Sequence, residues 1–483
     1  MSRIPFDNSY ARLPQRFFTR TAPTPVTSPR LVRLNTALAL ELGIDPDALT
    51  SEEGVAVLAG NRVAEGAEPI AMAYAGHQFG QFVPQLGDGR AVLLGEVIDR
   101  NGVRRDIQLK GAGRTPWSRG GDGRAAIGPV LREYVISEAM AALGIRTTRS
   151  LAAVTTGEPV FREDVLPGAV LTRVASSHIR VGTFQYFAAR RDVEGVRLLA
   201  DHVLARHYPE AAETDRPYHA LLAAVVEAQA TLIADWLLVG FIHGVMNTDN
   251  MSIAGETIDY GPCAFLDEYD AGKVFSSIDR HGRYAFGNQP SIGGWNLSRL
   301  AECLLPLFAE DANAAVAEAQ EILDAYGPAF EHRYHTGLRR KIGLTTTQDD
   351  DMQLVLELLE TMHAQKADFT LTFRRLCDAA ESADHDEALG SLREWLPRWR
   401  KRLEQEPIEP HARATAMRLV NPAFIPRNHR VEAVIQAALD DDFAPFEELL
   451  AVVTRPYEEQ PAFAEYTQPP EENQRVLQTF CGT

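Results

Sequence analysis

"DIQLKGAGRTPWSRGGDGRAAIGPVLREYVISEAMAALG", residues 106–144, changes character twice. A β-capable run ends at Lys110, a loop of glycines and arginines follows, and a helix opens on Pro129 and closes at Gly144. Between Arg104 and Arg124 stand six basic and two acidic residues, in a chain whose net charge is −18. Local positive charge on glycine-rich backbone suits a polyphosphate, because bare N–H groups can approach the anion closely. Lys110, Arg114, Arg119 and Arg124 supply the charge, and Asp122 and Gly123 lie within the loop. Glu133, one helix on, can orient the Lys110 ammonium as a strand lysine and a helix glutamate do in kinases, with Glu138 as the competitor. The pair alone equally describes a surface lysine and a helix-start acid favoured by the helix dipole.

The same character extends to both sides. Upstream, "QLGDGRAVLLGEV" (85–97) sets Gly87, Gly89 and Arg90 in a turn between β-capable runs. Downstream, "LTRVASSHIRVG" (171–182) offers Arg173 and Arg180 as phosphate ligands or as ion-pair partners. Residues 75–190 therefore read as a mixed α+β lobe. Residues 1–74 hold the Pro/Thr/Ser stretch "TAPTPVTSP" and a helical pattern in "RLVRLNTALALELG", and read as an N-terminal extension. Residues 191–400 are mostly helical, and 401–483 are helical with a loose tail.

The helical region is interrupted by "GVMNTDNMSIAGETIDYG" (244–261). "MSIAGETI" centres a glycine between two short β-capable runs, which predicts a hairpin turning at Gly255. A hairpin would bring Asn250 and Asp259 together to share one hard cation through oxygen ligands. Asp249 would stand beside that metal, free to accept a proton from an attacking hydroxyl. Asn and Asp also cap turns, so the segment alone leaves both readings open.

Composition sets the outer limits. A chain of 483 residues with 45% hydrophobic content can bury a large core, and its acidity argues against a general nucleic-acid binder. The apolar stretch "LLAAVVEAQATLIADWLLVGFIHGVM" carries Glu227 and Asp235 and reads as a buried helix, so no membrane partner is expected. The first twenty residues are Arg-rich but contain Asp7 and two prolines, which fits neither a secretory signal nor a transit peptide well. Four scattered cysteines, Cys263, Cys303, Cys377 and Cys481, show no metal or disulfide-scaffold spacing, and the default compartment is reducing and cytoplasmic. His202 and His207 lie five apart, about 140° around a helix, and read as helix-surface residues. Trp236 and Phe241 read as core, and His77 has no assigned role.

Glycine turn, strand lysine, helix glutamate, long helix ending in "HG", Asp-Asn, short hairpin and "DYG" follow the order of parts in a kinase-like fold. "GAGRTPWSRGGDGRAAIGP", "HGVMNTDNMSI", "IDYGPCAFLDEY", "AYAGHQFGQF" and the near-terminal cysteine of "FCGT" resemble the selenoprotein O (YdiU) family over essentially the whole chain. Animal members carry selenocysteine at that near-terminal position; here it is Cys481, as in bacterial members. The resemblance implies a two-lobed protein-kinase-like fold with an N-terminal extension and additional C-terminal helices. It also implies AMP transfer from ATP to Ser, Thr or Tyr hydroxyls of proteins, with Mg²⁺ or Mn²⁺ and with ATP reversed relative to protein kinases. UMP transfer from UTP with Mn²⁺ and self-modification are further activities it leaves open.

Carried over by position, Asp249 is the proton acceptor, and Asn250 and Asp259 hold the metal. Lys110, Arg173 and Arg180 contact phosphates, Glu133 pairs with Lys110, and Gly87, Gly89, Arg90, Asp122 and Gly123 line the nucleotide pocket. The tail position also implies a redox link between Cys263 and Cys481, against which stands the ordinary case of two unrelated thiols. Ordinary kinases separate the catalytic Asp from the metal-binding Asn and place an arginine after the histidine; here Asp249 and Asn250 adjoin and Gly244 follows His243. The residues alone describe an ATP site with a metal, and a kinase-type phosphotransferase or an inert nucleotide-binding scaffold stay open beside nucleotidyl transfer.

Overall fold

The computed structural model describes residues 4–480. In chain order the strands are β1 (Phe18–Arg20), β2 (Arg30–Leu34), β3 (Ile70–Met72), β4 (Gly76–Gln78), β5 (Gln81–Val83) and β6 (Ala91–Ile98). They continue as β7 (Arg104–Lys110), β8 (Ala125–Ala126), β9 (Arg149–Phe161), β10 (Val165–Ala175), β11 (Phe241–Ile242) and β12 (Ala264–Phe265). Helices α1 (Thr36–Glu41), α2 (Pro46–Thr50), α3 (Glu52–Leu58) and α4 (Ile127–Ala142) lie among the strands. After β10 come α5 (Val181–Ala188), α6 (Val193–His207), α7 (Pro209–Ala212), α8 (Pro217–Leu238) and α9 (Gln289–Leu304), and further helices run on to Val453.

The result is a mixed α and β molecule built on an antiparallel sheet in the order β1-β3-β6-β7-β10-β9-β2, with β8 added to β10. Residues 1–74, expected as an extension, instead supply both edges of this sheet through β1 and β2, and its β3 strand as well. Edge backbone needs partners, and these short strands pair on their inner sides with β3 and β9. The helical reading of "RLVRLNTALALELG" is corrected for its first five residues, which are β2. The helix begins only after Asn35, whose side chain accepts a hydrogen bond from the Leu38 N–H as an N-cap.

Strand alternation sorts the sheet's two faces. Ile107 and Leu109 of β7 and Val170 and Val174 of β10 pack with Leu38, Leu49 and Val57 beneath α1 to α3. Ala169 and Leu171 point the other way, onto Val130, Leu131 and Val135 of α4. Lys110 and Arg173 belong by the same period to the α4 side, where Glu133 waits. Thirteen of the sixteen α4 residues are buried, and the helix stops before Gly144, whose φ of +81° ends it in the left-handed region.

α8 is long and apolar enough to cross a membrane, but two-thirds of its apolar window is buried within the protein. Its Leu232, Ile233 and Trp236 join Phe241 and Phe265 in the larger helical core, as expected of Trp236 and Phe241. His202 and His207 depart from the surface reading. Both are half-buried: the His202 ring lies edge-on to Tyr10 with centroids 5.7 Å apart, and His207 Nε2 is 2.9 Å from Ser177 Oγ. α6 buries histidines because Tyr10 and Ser177 come from distant parts of the chain to cover it.

Candidate functional site

The hairpin expected over residues 251–258 does not form. Its two β-capable runs pair elsewhere, Ser252 antiparallel to Arg180 and Thr257 parallel to Thr147, with a tight turn at Gly255 between them. Other contacts place the ends of the segment. Val181 N–H donates to the Met251 carbonyl and Thr148 N–H to the Thr257 carbonyl, so one run is pinned to the start of α5 and the other to the residue before β9. Asp249, Asn250 and Asp259 then open on one cavity of about 420 Å³.

Gly87, Gly89, Arg90, Lys110, Asp122, Gly123, Arg173 and Arg180 line that same cavity. Gly87 and Gly123 are sterically required. A Cβ on Gly87, which stands at φ +76°, would lie 2.4 Å from the Trp117 ring, and one on Gly123 would lie 2.0 Å from the Gly113 carbonyl oxygen. Lys110 Nζ donates to Glu133 Oε2 at 2.5 Å and to Asp259 Oδ1 at 3.3 Å. Glu133 stands behind the lysine, off the cavity wall. The competing Glu138 is taken up by Arg149, Asn35 and the Ser150 N–H, a structural clamp away from the site.

Asp259 is the hub. Its Oδ1 also accepts from Arg173 at 2.6 Å, and its Oδ2 from Arg180 at 3.3 Å. Burial alone would raise its pKa, but Arg173, Lys110 and Arg180 together hold it well below the usual carboxylate range. Its backbone sits at φ +62°, a region that non-glycine residues rarely occupy, which is the kind of strain kept at functional positions. His243 supports it from below. Burial lowers the pKa of that imidazole, and its Nε2 lies 2.9 Å from the Ile258 carbonyl oxygen.

Asp249 stands in a different environment. Its Oδ2 accepts from Gln78 Nε2 at 3.2 Å, whereas its Oδ1 is buried with no hydrogen-bond partner. Burial pushes its carboxyl up to about 6. An unpaired buried oxygen costs stability unless something polar meets it, and Asp249 lines the cavity. Gly76 packs directly against it, and Asn247, two residues earlier, accepts from the Phe79 N–H at 3.0 Å and from the Tyr284 hydroxyl at 2.7 Å.

Among the described residues no group of three or more His, Cys, Asp and Glu side chains gathers as a ready-made metal cage. Magnesium keeps several waters and takes substrate phosphate oxygens beside one or two carboxylates, so a cage is not what it needs. Asn250 donates through Nδ2 to the Val245 carbonyl at 3.0 Å, which leaves its Oδ1 free, and Asp259 adds a carboxylate. These hard oxygen donors fit a divalent cation of that type.

Several contributors went unrecognised in the sequence. Asp88 lies between Gly87 and Gly89; its Oδ2 accepts from the Met72 N–H, its Oδ1 has no hydrogen bond but lies 3.8 Å from the Arg180 guanidinium, and burial raises its carboxyl to about 6. Tyr74 stacks under Arg180, with the guanidinium carbon 4.6 Å from the ring centroid. Gln78, Trp117 and Arg162 complete the wall, the last holding Asp122 by two hydrogen bonds of 2.8 and 3.0 Å. The signal was present in "AYAGHQFGQF", where His77, given no role, meets Gln185 at 2.8 Å and steadies β4.

Cys263 is a buried free thiol, four residues past Asp259, and burial pushes it up to about 12. Cys481 lies outside the described residues. Thr479, two residues before it, donates from its hydroxyl to the Pro262 carbonyl at 2.6 Å.

A family model described as Protein adenylyltransferase SelO matches residues 1–454. A protein nucleotidyltransferase YdiU of Bradyrhizobium sp. strain BTAi1 is 68% identical, over 99% of both chains. Proteins of the same name from Rhodopseudomonas palustris strain BisB18 and Methylorubrum populi are each 66% identical, again over 99% of both chains. The chain belongs to the protein adenylyltransferase SelO family.

Proposed function

We propose that the protein is a nucleotidyltransferase that moves AMP from ATP to Ser, Thr or Tyr hydroxyls of other proteins. The observation that carries this reading is the contrast between two carboxylates on one cavity: Asp259 locked among three cations, and Asp249 with a buried oxygen left unpaired. One suits the charge of a bound polyphosphate and metal, the other suits a mobile proton.

In this reading the acceptor oxygen attacks the α-phosphorus, the bond to the β-phosphate oxygen breaks, and pyrophosphate leaves. The hydroxyl proton passes to the Asp249 carboxylate, which Gln78 orients through Oδ2. Lys110, Arg173 and Arg180 hold the phosphates and balance charge building on the leaving group. Glu133 keeps the Lys110 ammonium aimed, and Gly87, Gly89 and Gly123, with Arg90 and Asp122, let the nucleotide close on the loop backbone. Asn250 and Asp259 would hold Mg²⁺ or Mn²⁺, which supplies charge neutralisation on the phosphates.

A strand lysine on β7 paired with a glutamate on α4, and a metal segment carried by the helical region, support the kinase-like two-lobed reading. The buried Cys263 beside the docked tail supports a redox link to Cys481. The name borne by the relatives supports protein substrates over small molecules.

Mass spectrometry of an acceptor protein incubated with ATP and Mg²⁺ tests the reading. An adenylyl adduct on a hydroxyl residue is expected; a phosphoryl adduct alone would make the site a kinase. Offering UTP with Mn²⁺ in parallel reports whether uridylyl transfer shares the site.

A further inference from the structure

A second groove, of about 580 Å³, adjoins the nucleotide cavity and shares Phe79 and Ile278 with it. Its remaining wall carries Arg280, His281, Arg283 and Ile292. The β4–β5 hairpin joins the two spaces. Gln78 reaches Asp249 on one side, and the next residue, Phe79, faces the groove on the other. Tyr284, whose hydroxyl bonds Asn247 beside the Asp249 turn, fixes the chain that presents Arg283.

The groove is locally basic on an acidic protein. The protein carries a net charge of −18, yet none of Arg280, His281 and Arg283 forms an ion pair among the described residues. Arg283 instead rests on the Trp295 ring, with its guanidinium carbon 4.8 Å from the centroid. The one carboxylate in the wall, Asp279, is turned inward, accepting from the Arg283 and Tyr284 N–H groups at 2.9 and 2.7 Å. Ile278 is left 54% exposed. Basic side chains without carboxylate partners and an exposed aliphatic, at the mouth beside Asp249, form a complementary bed for an acidic peptide.

We propose that this groove seats the protein substrate, in the form of an extended segment carrying Asp or Glu beside the acceptor hydroxyl and an apolar residue on Ile278. The inference rests on the proposed transfer and adds which substrates it selects. A chain leaving an acceptor at Asp249 crosses Phe79 and Ile278 and meets Arg280 and Arg283, so acidic neighbours of the acceptor gain affinity by charge. Basic neighbours are rejected by the same groups.

The test uses two fluorescent serine peptides differing only in having Glu or Lys around the serine. Their binding to the full-length protein is measured by anisotropy, and labelling from α-labelled ATP is measured in parallel. The Glu peptide is expected to bind about tenfold more tightly than the Lys peptide, and the double variant Arg280→Glu/Arg283→Glu to reverse the order. The affinity of the variant for ATP should match wild type, which separates the groove from the nucleotide cavity and reports a folded protein. Equal binding of the two peptides, or a variant that weakens both alike, overturns the inference. Selective binding without labelling would uphold the groove and count against adenylyl transfer, whereas indiscriminate labelling would uphold transfer and remove the groove.

Discussion

Replacing Gly76 by alanine tests the placing of Asp249 with a single methyl group. Gly76 lies outside the left-handed region, so alanine can adopt its backbone, and the effect is confined to what the new Cβ meets. That atom would lie 2.6 Å from Asp249 Oδ1, 3.0 Å from its Cβ and 3.2 Å from its Cγ. Ordinary contact begins near 3.4 Å, so the carboxylate must retreat by about 0.8 Å, and a displacement of about 1 Å at a reacting group costs roughly a hundredfold in rate. The overpacking itself should cost about 1–3 kcal/mol of stability, which leaves the protein folded. In a transfer assay with α-labelled ATP, Gly76→Ala should therefore lose about two orders of magnitude in kcat while binding ATP as wild type does. Gly337→Ala is the control: its Cβ would sit 2.2 Å from Leu238 Cδ1, away from the cavity, so it should lower the melting temperature without touching Asp249. A Gly76→Ala enzyme with wild-type kcat would refute the role given to Asp249.

Lys341, at the end of the helix Tyr326–Lys341, is buried against Phe373 and Phe369, and burial lowers its ammonium to about 7. Between pH 7 and its unfolded value of about 10.4 the unfolded chain holds a proton that the folded protein lacks, so this residue's contribution makes stability rise with pH across that window. Lys341→Met should stabilise the protein by roughly 2–4 kcal/mol at pH 7 in denaturant titrations, less than the full shift because the two rings favour the cation, and the gain should shrink towards pH 10. A gain that is constant with pH would contradict the buried cation. Cys263 should resist iodoacetamide at pH 8 in the native protein and react after unfolding, because both burial and the raised pKa withhold the thiolate; rapid native labelling would contradict this. Because the folded protein withholds the Cys263 thiolate, a 263–481 link requires the segment bonded at Thr479 to open first. A non-reducing peptide map of protein oxidised over hours should contain the link, and its absence would remove the redox proposal. Chelation of divalent metal should abolish transfer, with recovery on adding Mg²⁺ or Mn²⁺; transfer that persists in chelator would contradict the metal role of Asn250 and Asp259.

The cavity's charged wall was legible because its signals are local. Lys110, Arg173 and Arg180 stand out as basic residues among glycines in an acidic chain, and the order of strand, loop and helix sets Glu133 within reach of Lys110. What the sequence hid depends on distant partners. The runs around Gly255 look like two strands of one hairpin, yet Ser252 pairs with Arg180 and Thr257 with Thr147, and no local pattern announces such pairing. β1 and β2 lie within 34 residues of the start, but they stand at opposite edges of a sheet whose middle is made more than fifty residues later. Gly76 and Gln78 carry no charge, and they matter only because Asp249 arrives from more than 170 residues away. The histidines of α6 misled for the same reason, being covered by Tyr10 and Ser177.

The most direct test of the account follows label from α- and γ-labelled ATP onto protein, with Mg²⁺ present, for wild type and Asp259→Ala. Stable α-label on protein, at least a hundredfold weaker in Asp259→Ala, is the predicted result, since the variant loses the carboxylate that Lys110, Arg173 and Arg180 surround. Label from the γ position alone, or α-label undiminished in the variant, would contradict it.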